Sequence, residues 1–497
     1  MRKIWVGITL ATIVSFAESG RSPVIGAERT RNLRGLDYAP MLMEYHMQTV
    51  GEGHHFFTYP RRDTAFHKDF AKNNSNAMAY FKSEESSSHK FAIAVSPVLG
   101  IDYKSSSALG DTIWPAFDGG LFVRGFADSL DFDLDARIYS EGHAAKKPKS
   151  YDHEVFDVQS KERGDGGIDY VSFARYRAHF ALNYSWMRLQ LARDVLHWGP
   201  GYYNNLSLNQ FALPYNMLTL DLTFGPLRIF SAYADLRVNS WSYSKDNLND
   251  RNLYAHRYEL ALSHFTFGIS EIQILYNENK PWLFVPIAPL FIEKGNYTER
   301  VNNGAIAFDM NVQLFKSARL YGEFFLDDME SPYAVYQNRY SNNRWAAMLG
   351  MQVAHDAEVK GKMIQFGTIA EIARVEPFAY CHYDTAQAQI AHLGLPLGNP
   401  NGPNSLAVDW TLYGQLYWSP SAKFFLGLHN KWLWKGVDYG SDINDPYKTV
   451  RKRFIHKAPL QYTISPSVSY IGRYASFEMD MTFGDERAFF VRTTFHW

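Results

Sequence analysis

Residues 306–314 read Ile-Ala-Phe-Asp-Met-Asn-Val-Gln-Leu, so Ile306, Phe308, Met310, Val312 and Leu314 alternate strictly with Ala307, Asp309, Asn311 and Gln313. Successive side chains of an extended chain point to opposite faces, so this alternation predicts a strand with one apolar and one polar face. Helical spacing does not produce it. Phe477, Met479, Met481 and Phe483 repeat the pattern around Glu478, Asp480 and Thr482, and Leu218, Leu220, Leu222 and Phe224 repeat it around Thr219, Asp221 and Thr223. Similar runs occupy 91–101, 132–139, 186–194, 227–236, 257–267, 269–276, 320–328, 345–353, 363–374, 408–418 and 423–434. With weaker candidates they predict an all-β chain of roughly 16–18 antiparallel strands.

A soluble sandwich also alternates, and two details favour a transmembrane barrel over it. The apolar faces have a common length of roughly 9–11 residues, which suits a tilted strand crossing hydrocarbon. Aromatic rings sit at strand ends, at Trp186, Tyr276, Trp345, Trp418, Trp432 and Trp434, where an amphipathic ring meets the bilayer boundary. The chain has 35 Phe, 32 Tyr and 12 Trp, enough to furnish girdles at both interfaces. In lipid every backbone polar group must be paired internally, so such a sheet closes on itself. Its polar faces then turn inward: Asp221, Glu259, Glu271, Asp309, Glu323, Asp327, Glu371, Glu478 and Asp480 are expected in the lumen, opposite Arg188, Arg257, Lys423, His429, Lys431 and Arg492. Charges of both signs on facing walls can pair across it.

The ends of the chain are read in the same frame. Arg2 and Lys3 precede an apolar run from Ile4 to Phe16, and Ser15-Phe16-Ala17 offers small residues at the positions a signal peptidase inspects; a second such site ends at Ala27. A leader is therefore expected over 1–17, a small, partly helical periplasmic segment over 18–88, and the barrel over 89–497. The most apolar later stretch, 282–292 (WLFVPIAPLFI), is short and broken by Pro286 and Pro289, so no membrane helix is expected there. The last strand, with Phe489, Val491, Thr493, Phe495 and Trp497 on one face, resembles the terminal signal read by the outer-membrane insertion machinery, which is an expected partner together with membrane lipid. The expected location is the bacterial outer membrane.

Composition removes other classes. One cysteine, Cys381, can form neither an internal disulfide nor a Cys-rich metal cluster. A net charge of -1 supplies no basic field for nucleic acid. There is no Gly-x-Ser-x-Gly elbow, His-Glu-x-x-His helix or phosphate-binding Gly-rich loop, so no enzyme and no cofactor are expected. His54 and His55 diverge on a strand and read as solvated rather than metal-binding, and His392 with Ser405 in one loop is weak ground for a hydrolase.

Three segments exceed generic barrel. Residues 193–205 (RDVLHWGPGYYNN) end a strand in an aromatic and amide-rich Gly-Pro-Gly turn, 320–328 (LYGEFFLDD) carry Glu323 and Asp327 on one face with Asp328 at the end, and 391–405 (AHLGLPLGNPNGPNS) form a Gly/Pro-rich loop. These segments, with 282–296 before the second, occur in the order in which the chain resembles the Wzi family of capsule-assembly outer-membrane proteins. The resemblance covers most of the chain after residue 170. It implies a large barrel with a periplasmic helical portion that attaches or organises capsular or extracellular polysaccharide and can act as a lectin.

Sugars present an apolar CH face and a rim of hydroxyls, so a binder uses aromatic platforms beside amides and carboxylates. Trp198, Tyr202, Tyr203, Asn204 and Asn205 supply both, and His392, Asn404 and Ser405 complete the candidate polysaccharide-binding set. Arg193, Asp194, His197, Gly199, Pro200, Gly201, Glu323, Asp327 and Asp328 are assigned a structural role in the shared motifs. Two alternatives stand beside this reading: the turn at Trp198 is purely structural, or the barrel is a porin or solute transporter.

Overall fold

A computed structural model of the chain describes residues 58–59, 79–82, 89–106, 114–144, 156–162, 168–237, 251–276, 278–287, 289–293, 302–328, 343–383, 388–419, 422–448, 452–472 and 474–496. The leader over 1–17, nearly all of the segment 18–88, the His54-His55 pair and Trp497 lie outside them.

Eighteen antiparallel strands, from Phe91–Ser106 to Ala488–His496, close into one barrel. Each strand of the wall pairs with the next, and the last closes on the first with His496 opposite Val98. The short strand Ala79–Lys82 continues that seam, with Ala79 opposite Val95 and Lys82 opposite Ala92. Closure leaves no unpaired edge in the wall, as a lipid setting demands.

Side chains sort in the inverted sense. Ala307, Asp309 and Asn311 are buried, whereas Met310 and Leu314 on the opposite face are 47% and 49% exposed. In strand Ser405–Ser419, Asp409, Thr411 and Gln415 are buried while Trp410 and Leu412 are exposed. A sheet that hides acids and amides and displays leucines is built for a hydrocarbon exterior. Trp186 and Trp418 mark one end of this belt, and Trp345, Trp432 and Trp434 the other.

The two rims differ. One carries tight turns such as Gly225-Pro226 and Lys360-Gly361, the latter with φ of 52° and 73°, the twist-matched hairpin turn in which glycine carries the second left-handed position without strain. At the opposite rim the strand ends are joined by the long connections 195–214, 277–301, 329–343, 376–404 and 436–459. Short turns face the periplasm and long loops the exterior in such barrels.

One inward assignment is corrected. In strand Phe265–Tyr276, Ile272 and Ile274 point to the lumen, where they join a buried cluster with Trp198, Leu206 and Phe230. Glu271, one position before Ile272 and so of opposite parity, stands opposite Ile306 and faces outward. Both faces of this strand are apolar in places, so alternation does not decide its orientation.

Candidate functional site

The lumen holds two of the long connections. Residues 195–214 leave the end of strand Met187–Asp194 and turn inward, and residues 376–381 and 388–404 after strand Lys362–Val375 do the same. His197 and Trp198 pair there with Tyr59 and Thr58, so a piece of the N-terminal segment runs antiparallel to the first plug segment.

Inward carboxylates of the wall clamp the backbone of this plug. Glu371 accepts the N–H groups of Tyr202 (2.5 Å), Tyr203 (2.9 Å) and Asn204 (2.9 Å), and the Tyr321 hydroxyl at 2.8 Å. Glu323 accepts the N–H groups of Leu206 (2.7 Å) and Ser207 (2.9 Å) and the Ser207 hydroxyl. Asp327 accepts the Tyr380 N–H at 2.8 Å, and Arg319 donates to the Pro200 carbonyl at 3.0 Å. A loop inside a barrel cannot join the sheet ladder, so its orphan donors need such acceptors. This is why a membrane strand carries Glu323 and Asp327 four positions apart on one face.

The turn itself is stapled by Asn205. Its carbonyl oxygen accepts from Gly201 N at 2.7 Å, and its amide donates to Gly199 O at 3.2 Å and His197 Nε2 at 2.8 Å. Gly199 has φ of 109°, a conformation that a side chain resists. Burial, reinforced by the charge of Arg257, holds the His197 imidazole down at about 3, so it stays a neutral acceptor. Trp198 packs edge-on against Phe230 at 5.7 Å, and Tyr203 stacks on His429 at 4.4 Å.

The second plug segment locks onto the first. The Tyr380 hydroxyl donates to Leu206 O at 2.7 Å, and Asn399 and Asn401 both donate to the Asn204 side-chain oxygen. Asn404 adopts a left-handed φ of 55° and joins three chain segments: its amide donates to Ser441 Oγ, its oxygen accepts Ile455 N, and its own N–H donates to Glu376 O. His392 accepts Arg237 N at 3.0 Å, and the Ser405 hydroxyl donates to Gly402 O. Gly398 packs directly on the first segment, since a Cβ there would lie 2.1 Å from Leu206 O and 2.6 Å from the Tyr380 ring. Gly398→Ala is expected to push the two apart at a cost of about 3 kcal/mol, read as faster proteolysis within residues 195–214 at unchanged barrel content by circular dichroism.

Trp198, Tyr202, Tyr203, Asn204, Asn205, His392, Asn404 and Ser405 are thus brought into or beside one plug, and all are at most 7% exposed; the Trp198 indole N–H has no hydrogen-bond partner among the described residues. Arg193 and Asp194 lie at the strand end before it: Asp194 accepts from Arg177 at 3.1 Å and from Val195 N, and Arg193 lies over Tyr176. Asp328 pairs with Arg344, which also donates to Cys381 O.

On the exterior side of the plug, residues 382–383 and 436–448, with Phe378 beneath them, form the exterior cap. Phe378 packs edge-on against Tyr439 and Tyr447, Tyr447 N donates to His382 O, and His382 lies 4.0 Å from Tyr383. Tyr383 is 50% and Tyr439 40% exposed, and beside them stand the His456–Asp438 pair, Asn444 and the Asp442 carboxylate. Open rings next to carboxylates and amides can meet the CH face and hydroxyls of a sugar. Sequence reading did not single these residues out, although 380–383 (YCHY) is an aromatic run in a segment without strand periodicity.

The far wall is also closed to solvent. Arg492 pairs with Asp118 at 2.5 Å, and Arg137 bridges Asp118 and Asp135. All four are at most 4% exposed, which an open aqueous channel would not give. Among the described residues, no group of three or more His, Cys, Asp or Glu side chains is placed to hold a metal ion.

The inverted wall, closed ladder and inward loops define an outer-membrane β-barrel protein. Among solved structures it is similar to Escherichia coli Wzi, described as an outer-membrane protein involved in group 1 capsule assembly and a carbohydrate-binding β-barrel, with 11% identity over 93% of this chain and 98% of that one and a TM-score of 0.53. A BenF-like porin from Pseudomonas fluorescens aligns with 9% identity over 82% of this chain and 98% of that one, at a TM-score of 0.41. No family model and no curated protein matches the sequence. The likeness is one of fold.

Proposed function

We propose that this protein binds or organises capsular or extracellular polysaccharide at the cell surface, without catalysis and without serving as a solute channel. The observation that carries the reading is the filled lumen: the long loops that would border a porin's mouth are spent on a plug whose amides are clamped by Glu323, Glu371 and Asp327. Among the described residues, the cap with Tyr383 and Tyr439 is open to the exterior. In this reading Trp198, Tyr202, Tyr203, Asn204 and Asn205 serve sugar binding as the rigid base under the cap, as do His392, Asn404 and Ser405. Glycan contact falls first to the exposed rings.

Purified protein is expected to retain surface polysaccharide isolated from its own cells, and Tyr439→Ala with Tyr383→Ala to weaken retention at least tenfold, since stacked rings dominate such contacts. Deleting the gene is expected to loosen the surface layer. Steady large conductance in planar bilayers, with no glycan retained, would instead establish a porin.

A further inference from the structure

The apolar stretch that interrupts the strand pattern, 282–292, has no part in the lumen. It lies on the outside of the wall. Between strands Phe265–Tyr276 and Asn302–Phe315 the chain passes through a 3-10 turn, Pro281–Phe284, and a short helix, Leu290–Glu293, and both lie over outward-facing residues. The parity is fixed by register: Ala232, Ala255 and Ile272 point to the lumen cluster, so Ser231, His256 and Glu271, one position away, point outward.

Here the outer face is polar, unlike the rest of the belt. The strap satisfies much of it with its own backbone. Ser231 Oγ donates to Phe284 O, and Tyr258 OH donates to Pro286 O at 3.2 Å. The Tyr254 hydroxyl donates to Asn279 Oδ1 and accepts Lys280 N, and Glu271 accepts the N–H groups of Leu290 (3.2 Å) and Phe291 (3.4 Å). Leu283 and Leu290 pack on Tyr254 and Leu275. Ser231, His256 and Gln273 are completely covered, although both amide atoms of Gln273 lack a hydrogen-bond partner. Bare to lipid, this group of side chains would be costly.

The strap's other side is apolar and open. Ile287 is 86% and Ile292 68% exposed, and Trp282, Val285 and Phe291 are each nearly half exposed. Residues 281–292 contain no charge, whereas Glu278, Lys280 and Glu293 bracket them. The Pro286 contact to Tyr258, seven positions below the exterior end of strand Arg251–Ala261, sets the strap well down the belt rather than on the rim. Leu260 on the same strand is a lipid-facing neighbour at 39% exposure.

We propose that residues 278–293 form a membrane-inserted strap whose open face binds lipid acyl chains while its backbone caps a polar patch on the barrel wall. The occupant is lipid: the exposed side chains continue the apolar belt, carry no charge and no polar group but the Trp282 indole N–H, and lie where hydrocarbon already covers the wall. This lipid contact is independent of what the exterior cap recognises.

The test uses full-length protein in a Cys381→Ser background, carrying Ile287→Cys labelled with an environment-sensitive fluorophore and reconstituted into phosphatidylcholine vesicles with or without brominated acyl chains. Leu260→Cys is the belt control and Asn444→Cys the exterior control. Brominated lipid is expected to quench the Ile287 label within twofold of the Leu260 label, while aqueous iodide quenches only the Asn444 label. Iodide quenching at Ile287 without bromolipid quenching would overturn the proposal, as would oxidative cross-linking of Ile287→Cys between copies, which would assign the face to a second chain. Ile287→Asp is expected to reduce insertion into preformed vesicles several-fold, and insertion at the native level would count against lipid contact. Circular dichroism checks that each labelled barrel is folded.

Discussion

A Glu371→Ala protein is expected to conduct ions in planar bilayers where the native protein is silent, and to be cleaved by protease within residues 195–214. The carboxylate of Glu371 accepts three consecutive N–H groups, from Tyr202, Tyr203 and Asn204, together with the Tyr321 hydroxyl. Alanine provides no acceptor. A buried donor left without a partner costs about 1–3 kcal/mol, so stranding three costs on the order of 5 kcal/mol even when the losses are not additive. That is comparable with the whole stability of many domains, and the cheapest relief is for the turn to leave its seat and take water. The wall need not unfold with it, because residue 371 keeps its ladder partners opposite Gly350 and Asp409 whatever its side chain. Glu371→Gln should fall between, since it keeps one acceptor oxygen but turns an NH2 group toward other donors. A silent, protease-resistant Glu371→Ala protein would show that the carboxylate does not hold the plug.

The same clamp shows what could be read from the chain before folding. Strands such as the one containing Asp309 declare themselves because one face meets hydrocarbon and the other does not, and that contrast is periodic along the sequence. The inward position of Glu323 and Glu371 followed from it. Their task did not, since the amides they bind belong to residues more than a hundred positions away, and nothing local in LYGEFFLDD names a loop as its partner. Glu271 fails for a related reason: a strap from a later stretch of chain supplies its environment, and the side that hides a carboxylate can then be the outside. The aromatic turn at Trp198 was legible as special, and either a binding or a structural use would produce the same residues. Its burial depends on where the loop travels after the strand ends, which composition does not encode.

Acid is expected to loosen the plug through His197. Its folded value of about 3, set first by burial and then by the nearby charge of Arg257, lies well below the ordinary 6.5. Between these two values the open chain binds a proton that the closed plug refuses, so the unfolded side holds more protons and closure strengthens as pH rises through the window. Run downward, stability is lost from about pH 6.5 toward 3 at roughly 1.4 kcal/mol per unit, on the order of 4 kcal/mol in all, and is level above the window. The structural cause is specific: the imidazole accepts from Asn205, the residue that also ties Gly199 to Gly201, so a protonated ring would lose that acceptor and carry a buried charge near Arg257, against which its bond to the Gly201 backbone is the weaker influence. His197→Gln keeps a side-chain acceptor without a titrating group. Between pH 7.5 and 4.5, the native protein should therefore lose roughly 3 kcal/mol more of plug stability than His197→Gln, measured from the urea concentration at which residues 195–214 become protease-sensitive. Parallel slopes for the two proteins would place the acid response on the wall carboxylates instead, because those groups are common to both.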